Sequence, residues 1–189
     1  MLNIQRLANS LKRFRRDERG TNAIEFCMVA PFLLATWFGF YAFVDSESTS
    51  TKVGKVTTTV SDIIAQSPVV NREVIDGSFK AAEAIMGAKH APMLELMAVG
   101  VQINNNGSTE VVWARGRNLS RMSLPGKGSS FPLDAGLRSN RGFVVLAKAK
   151  LVYNPIFGKT FTGPIDMEYQ NIFAPRVSTT TECTNCPGY

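Results

Sequence analysis

Few residues in this chain have the types and spacing that support chemistry. Cys183 and Cys186 are separated by two residues, the spacing of a redox pair or of half a zinc site. A zinc site needs further ligands, and the sequence offers only His90, its one histidine, and Cys27, which lies in an apolar run. Thioredoxin-like exchange asks for the pair at the start of a helix in a βαβ frame, whereas this pair sits close to the C-terminus. In an oxidising compartment the expected outcome is a local disulfide between Cys183 and Cys186, contributing about 2 kcal/mol by the loop-entropy model. A lone histidine and the lack of a Gly-x-Ser-x-Gly elbow argue against hydrolytic catalysis. No phosphate loop or dinucleotide fingerprint is present. The sequence therefore predicts a protein that is not an enzyme, with no cofactor and no metal.

Glu25 is the other residue with chemical potential. It stands near the start of AIEFCMVAPFLLATWFGFYAFV, Ala23 to Val44, and is the one charged residue in that run. These 22 residues make about 33 Å of helix, enough to cross a hydrocarbon core of about 30 Å. Pro31 is compatible with such a helix, and Trp37 and Tyr41 lie toward its outer end, where amphipathic rings favour the interface. Two interpretations of Glu25 remain open. In one, Gly20 is a flexible joint and Glu25 stays solvated near the headgroups. In the other, the chain is cut after Gly20 and Glu25 is tolerated because it meets a cation, the new α-amine of Thr21 on a neighbouring subunit. Cys27 is expected to be an inert small hydrophobe, since Glu25-Phe26 precedes it where a lipidation motif has small residues.

The charge distribution sets the topology. The formal net charge is +6, but residues 1–20 hold Arg6, Lys12, Arg13, Arg15, Arg16 and Arg19 against Asp17 and Glu18, an excess of +4 that leaves +2 for the rest. A basic cluster directly before an apolar run is a cytoplasm-facing topology signal and not a nucleic-acid surface. The run is too long for a cleaved secretory signal and is followed by Asp45-Ser46-Glu47, so it should stay in the bilayer. Asp45 to Thr49 is similar to the Asp-x-Ser-x-Ser metal motif of von Willebrand type A domains, but Glu47 breaks the spacing; it is taken as a polar membrane exit.

Past the membrane, Val53, Val56, Val60, Ile63 and Ile64 give one apolar face, so the helix is expected to continue outward until Ser67-Pro68. A second helix is predicted over REVIDGSFKAAEAIMGA, with Val74, Phe79, Ala82, Ile85 and Met86 on its inner face. After Pro92 the pattern turns to strands: Val99, Val101 and Ile103, then Asn104–Gly107 as a hairpin turn, then Val111–Ala114. Residues 118–141 read as a long loop, and Phe143–Tyr153 and Ile165–Arg176 as two further strands. Asn106-Gly107-Ser108 and Asn118-Leu119-Ser120 match glycosylation sequons, triplets common by chance. The expected fold class is α+β: a basic leader over 1–20, a transmembrane helix over 21–45, an α+β domain with an antiparallel sheet over 46–176, and a tail over 177–189 that carries the cysteines.

Basic leader, Gly20, four intervening residues and Glu25 opening an apolar helix resemble the processing motif of type IV pilins and pseudopilins. RGTNAIEFCMVAPFLL resembles the TadE/TadG-like proteins of tight-adherence (Tad, or Flp) pili. VTTTVSDIIAQSP, IDGSFKAAEAIM, KLVYNPIFGKTFTGPI and FAPR are similar to the periplasmic part of that family, so the resemblance covers most of the chain. Cleaved members usually carry Tyr after the Glu, where this chain has Phe26. The resemblance implies a pilin-like periplasmic domain and a minor pseudopilin role in pilus assembly. It implies cleavage by a prepilin peptidase between Gly20 and Thr21, and register set by Glu25 and Phe26. Its partners would be the Tad secretion machinery, other pilins and the lipid bilayer, with no nucleic acid. The implied location is the bacterial inner membrane, single-pass, with the N-terminus cytoplasmic, the C-terminal domain periplasmic, and incorporation into a surface pilus open. Two alternatives stand beside it: an unprocessed periplasmic scaffold of the same machine, and a membrane-tethered ligand-binding domain with a deep apolar pocket.

Overall fold

The computed structural model describes residues 20–67, 69–138, 142–155, 163–176 and 182–186. The basic leader, apart from Gly20, lies outside the described residues, as do most of the turn-rich link after Pro155 and parts of the C-terminal tail. The fold is α+β, with a long N-terminal helix and a small antiparallel four-stranded sheet. The chain divides into two compact units, residues 1–43 and 44–189.

Helix α1 spans Thr21–Ala65. Its first part, in the N-terminal unit, is apolar on every side. The large hydrophobic side chains between Ile24 and Val44 are 44–74% exposed. Pro31 removes the donor to the Cys27 carbonyl without ending the helix. The Thr36 hydroxyl is satisfied by the Phe32 carbonyl at 2.8 Å. The segment is long and apolar enough to cross a membrane by length and composition.

Within the second unit, α1 changes character. Val53, Val56, Val60 and Ile64 repeat at helical spacing and are fully or almost fully buried. They join α2 (Arg72–Met86) and one face of the sheet in the larger core cluster. The sheet is formed by β2 (Leu94–Ile103), β3 (Thr109–Arg117), β4 (Gly142–Tyr153) and β5 (Ile165–Phe173), in the order β3-β2-β4-β5, antiparallel throughout. A short strand β1 (Val69–Asn71) precedes α2 and pairs in parallel with β6 (Glu182–Thr184).

Strand alternation sends successive β2 residues to opposite faces. Leu94, Leu96 and Ala98 meet the helices, while Met97, Val99, Val101 and Ile103 form a second cluster. Leu119, Met122, Leu124, Phe131 and Leu133 cover that second cluster. Within the stretch read as a loop over 118–141, the described residues 118–138 thus cover the second face and include a short helix, α3 (Ala135–Arg138). Gly100 faces the helix side, where a Cβ would stand 2.3 Å from Trp113 Nε1 and 2.6 Å from Phe143 Cζ. Only glycine fits beneath those two rings.

Several expectations are corrected. On α2 the inner residues are Ile75, Phe79, Ala82 and Met86, with Ser78; Val74 is half-buried and Ile85 is 37% exposed. The spacing 4-3-4 of that set is a tighter helical stripe than one including Ile85, which lies about 100° from Met86. In the hairpin only Gly107 has positive φ, at 77°; the Gly107 N–H donates to the Asn104 carbonyl, and the loop extends to Ser108. Strand β5 stops at Phe173, short of Arg176. The segment read as a tail contributes β6, which pairs with β1.

Candidate functional site

The candidate processing and register residues open α1. Gly20 is exposed immediately before the helix, and Thr21 is its first residue. Nothing lies within 4 Å of the position a Cβ on Gly20 would take. Among the described residues, then, no packing contact requires glycine there.

Glu25 follows Thr21 by four residues, which puts both on one helix face about 6 Å apart along the axis. Its side chain is exposed, and Phe26 beside it is 68% exposed. A carboxylate one turn into a helix also faces the positive end of the helix dipole. Since consecutive positions on a helix advance by about 100°, exposed Phe26, Met28, Val29, Phe32, Leu33 and Leu34 leave no polar side. Such a surface calls for an apolar environment, either lipid or other helices, and Glu25 is the one acid within it. Cys27 is a free, exposed cysteine on the same stretch.

In the second unit a row of polar contacts holds α1 along the sheet. Asp45 accepts a short hydrogen bond from the Tyr153 hydroxyl at the end of β4. Ser50 and Tyr169 share a hydrogen bond of 2.6 Å, Asn171 donates to Thr58 at 3.1 Å, and Arg176 pairs with Asp62 at 3.1 Å. Asp45 thus ties the helix to β4, and no group of three or more metal-ligating side chains occurs among the described residues. His90 is buried with its ring 6.0 Å from that of Tyr153. Burial holds its pKa below the ordinary value; Lys89 and Lys52 push the same way, and Asp45 opposes them.

Glu95 has no distinguishing motif in the sequence, yet among the described residues it is the most strongly perturbed carboxylate. It is 4% exposed on the lid-facing side of β2. It accepts from Ser120 Oγ at 2.5 Å, from the Arg121 N–H at 2.9 and 3.1 Å, and from the Met122 N–H at 3.0 Å. Burial alone would raise its pKa, but the Ser120 hydroxyl and the backbone N–H groups outweigh that and bring it to about 2. A single acid in the apolar run after Pro92, followed by a Ser/Gly-rich stretch needing an anchor, was the available signal. Asp76 serves a similar tethering role, taking a bidentate pair from Arg115 at 2.7 and 2.9 Å.

Cys183 and Cys186 are joined in a disulfide, with Cα atoms 5.6 Å apart. Both are half-buried and pack against the larger core cluster. A groove of about 590 Å³ runs between α1 and β5, lined by Thr51, Gly54, Lys55, Ile85, Tyr169 and others. It is open to solvent, unlike the deep apolar pocket that a tethered ligand-binding domain calls for. The sequon asparagines are used internally: Asn106 Oδ1 accepts from the Ser108 N–H at 2.9 Å, and Asn118 Nδ2 donates to the Leu94 carbonyl at 3.4 Å. Comparison with protein-family models, with curated proteins and with solved structures finds no match.

Proposed function

We propose that this chain is a minor pseudopilin or assembly component of a Tad/Flp type IV pilus, inserted in the inner membrane and processed by a prepilin peptidase after Gly20. One observation carries the proposal. A helix that begins directly after Gly20 and bears Glu25 in its second turn is apolar on all sides to Val44, and its continuation packs on a four-stranded antiparallel sheet. A helix segment apolar on all sides can be stored in a bilayer and moved into a bundle of like helices, where interhelical packing replaces lipid contact. Glu25 then sets axial register by pairing with the Thr21 amine of a neighbour. The six leader cations keep the N-terminus cytoplasmic and the domain outside.

The first test is substitution of Gly20 by Leu. The peptidase must take the junction in an extended form, and a bulky side chain there hinders entry. Gly20→Leu is expected to retain the leader in the native host, seen as a heavier band on immunoblot. Because nothing lies within 4 Å of its Cβ position, the variant should fold and insert like the wild type. Wild-type protein that also keeps its leader, and so differs from the variant only by the substituted side chain, contradicts processing at this bond and favours the permanently anchored scaffold.

A further inference from the structure

The C-terminal segment holds a device that the pilus reading leaves unused. β6 has three residues and pairs in parallel with β1, which also has three. A two-stranded pair of this length does not hold itself together in water, so something else must retain β6. Cys183 and Cys186 pack against the core cluster that contains Val70, Ile75 and Phe79, and the disulfide between them closes the turn through Asn185. Asn185 has φ 65°, a left-handed conformation that Asn tolerates better than most residues.

β6 sits against the amino end of α2. Fully buried Val70 is paired with Cys183. Asn71, paired with Thr184, caps α2 by accepting from the Val74 N–H at 2.8 Å. Releasing β6 therefore uncovers Val70 and loosens the cap together. The disulfide is also within reach of solvent, because Cys186 and Asn185 line an open cavity with Arg72 and Glu73, the first two residues of α2.

We propose that the Cys183–Cys186 pair is a redox latch that holds β6 over the amino end of α2, so that this corner of the fold closes on oxidation and opens on reduction. Closing consumes an external disulfide. One cysteine thiolate attacks it to give a mixed disulfide and a free external thiol, and the second cysteine thiolate then displaces the other external thiol. The two protons of the cysteines end on the two external thiols. Opening by a dithiol runs the same exchange in reverse.

The test is hydrogen exchange followed by mass spectrometry on the full chain in detergent, oxidised and after dithiothreitol. Reduction is expected to speed exchange over Val69–Val74 by roughly 20-fold, the loop-closure effect of a four-residue ring, with β2 and β4 unchanged. The chain carrying both Cys183→Ser and Cys186→Ser should exchange like reduced wild type and ignore dithiothreitol. Unchanged protection on reduction overturns the latch. Acceleration spread equally over β2 and β4 also overturns it, since that marks a staple of the whole domain. So does a doubly substituted chain that still responds to the reductant.

Discussion

Glu25→Gln is expected to be cleaved after Gly20 as well as the wild type and yet to fall short in pilus assembly by about tenfold to a hundredfold, the range for losing one charge-assisted hydrogen bond. The substitution keeps size and shape and removes only the charge, so insertion of the apolar helix is unimpaired. On the proposed reading, in a bundle of apolar helices, the Thr21 amine left by processing would lose its counter-ion when Glu25 becomes an amide. That leaves an uncompensated cation in a low-dielectric setting, which is the costly half of breaking a buried pair. Assembly is read as sheared surface filament per cell, and cleavage as the mass of the membrane form. Filament at wild-type level from cleaved Glu25→Gln protein would refute the register role.

The second large effect concerns stability and does not depend on the pilus proposal. Glu95 has a folded pKa of about 2 against an ordinary value of 4.5. A depressed carboxylate contributes stability that is fully present above about pH 4.5 and is lost as pH falls through about 2. A shift of this size corresponds to on the order of 3 kcal/mol. Asp76 and Glu168 are shifted in the same direction by Arg115 and Lys148. The wild type therefore loses stability in acid through several groups, and the difference from Glu95→Gln isolates this one. Denaturant midpoints of the two proteins should differ strongly at pH 7 and converge toward pH 2. A constant difference across that range would mean that Glu95 acts through packing and not through charge.

Much of the architecture was legible where one physical signal dominated. The apolar run from Ala23, the 3-4 spacing from Val53 to Ile64, the helix after Asn71 and the strands on both sides of Asn104–Gly107 all follow from periodicity and turn chemistry. What escaped depends on contacts between distant segments. β1 and β6 are too short to carry a period, and their pairing joins residues 69–71 to 182–184. The lid of the second face looked like a Gly/Ser/Pro-rich loop because its apolar residues, Leu119, Met122, Leu124, Phe131 and Leu133, follow no repeat. Glu95 interrupts an apolar strand, and its role shows only once Ser120–Met122 are seen folded over it. Ile85 reads as an inner residue together with Met86 because both are apolar, and only packing shows that Met86 is buried while Ile85 is exposed.

The central claim is that Gly20 and Glu25 belong to a processed pilin-type helix, and the mass of the mature protein from its native host tests it most directly. The proposal predicts a chain that begins at Thr21 and lacks all six leader cations. A chain that still begins upstream of Gly20 would contradict it and leave a permanently anchored protein in its place.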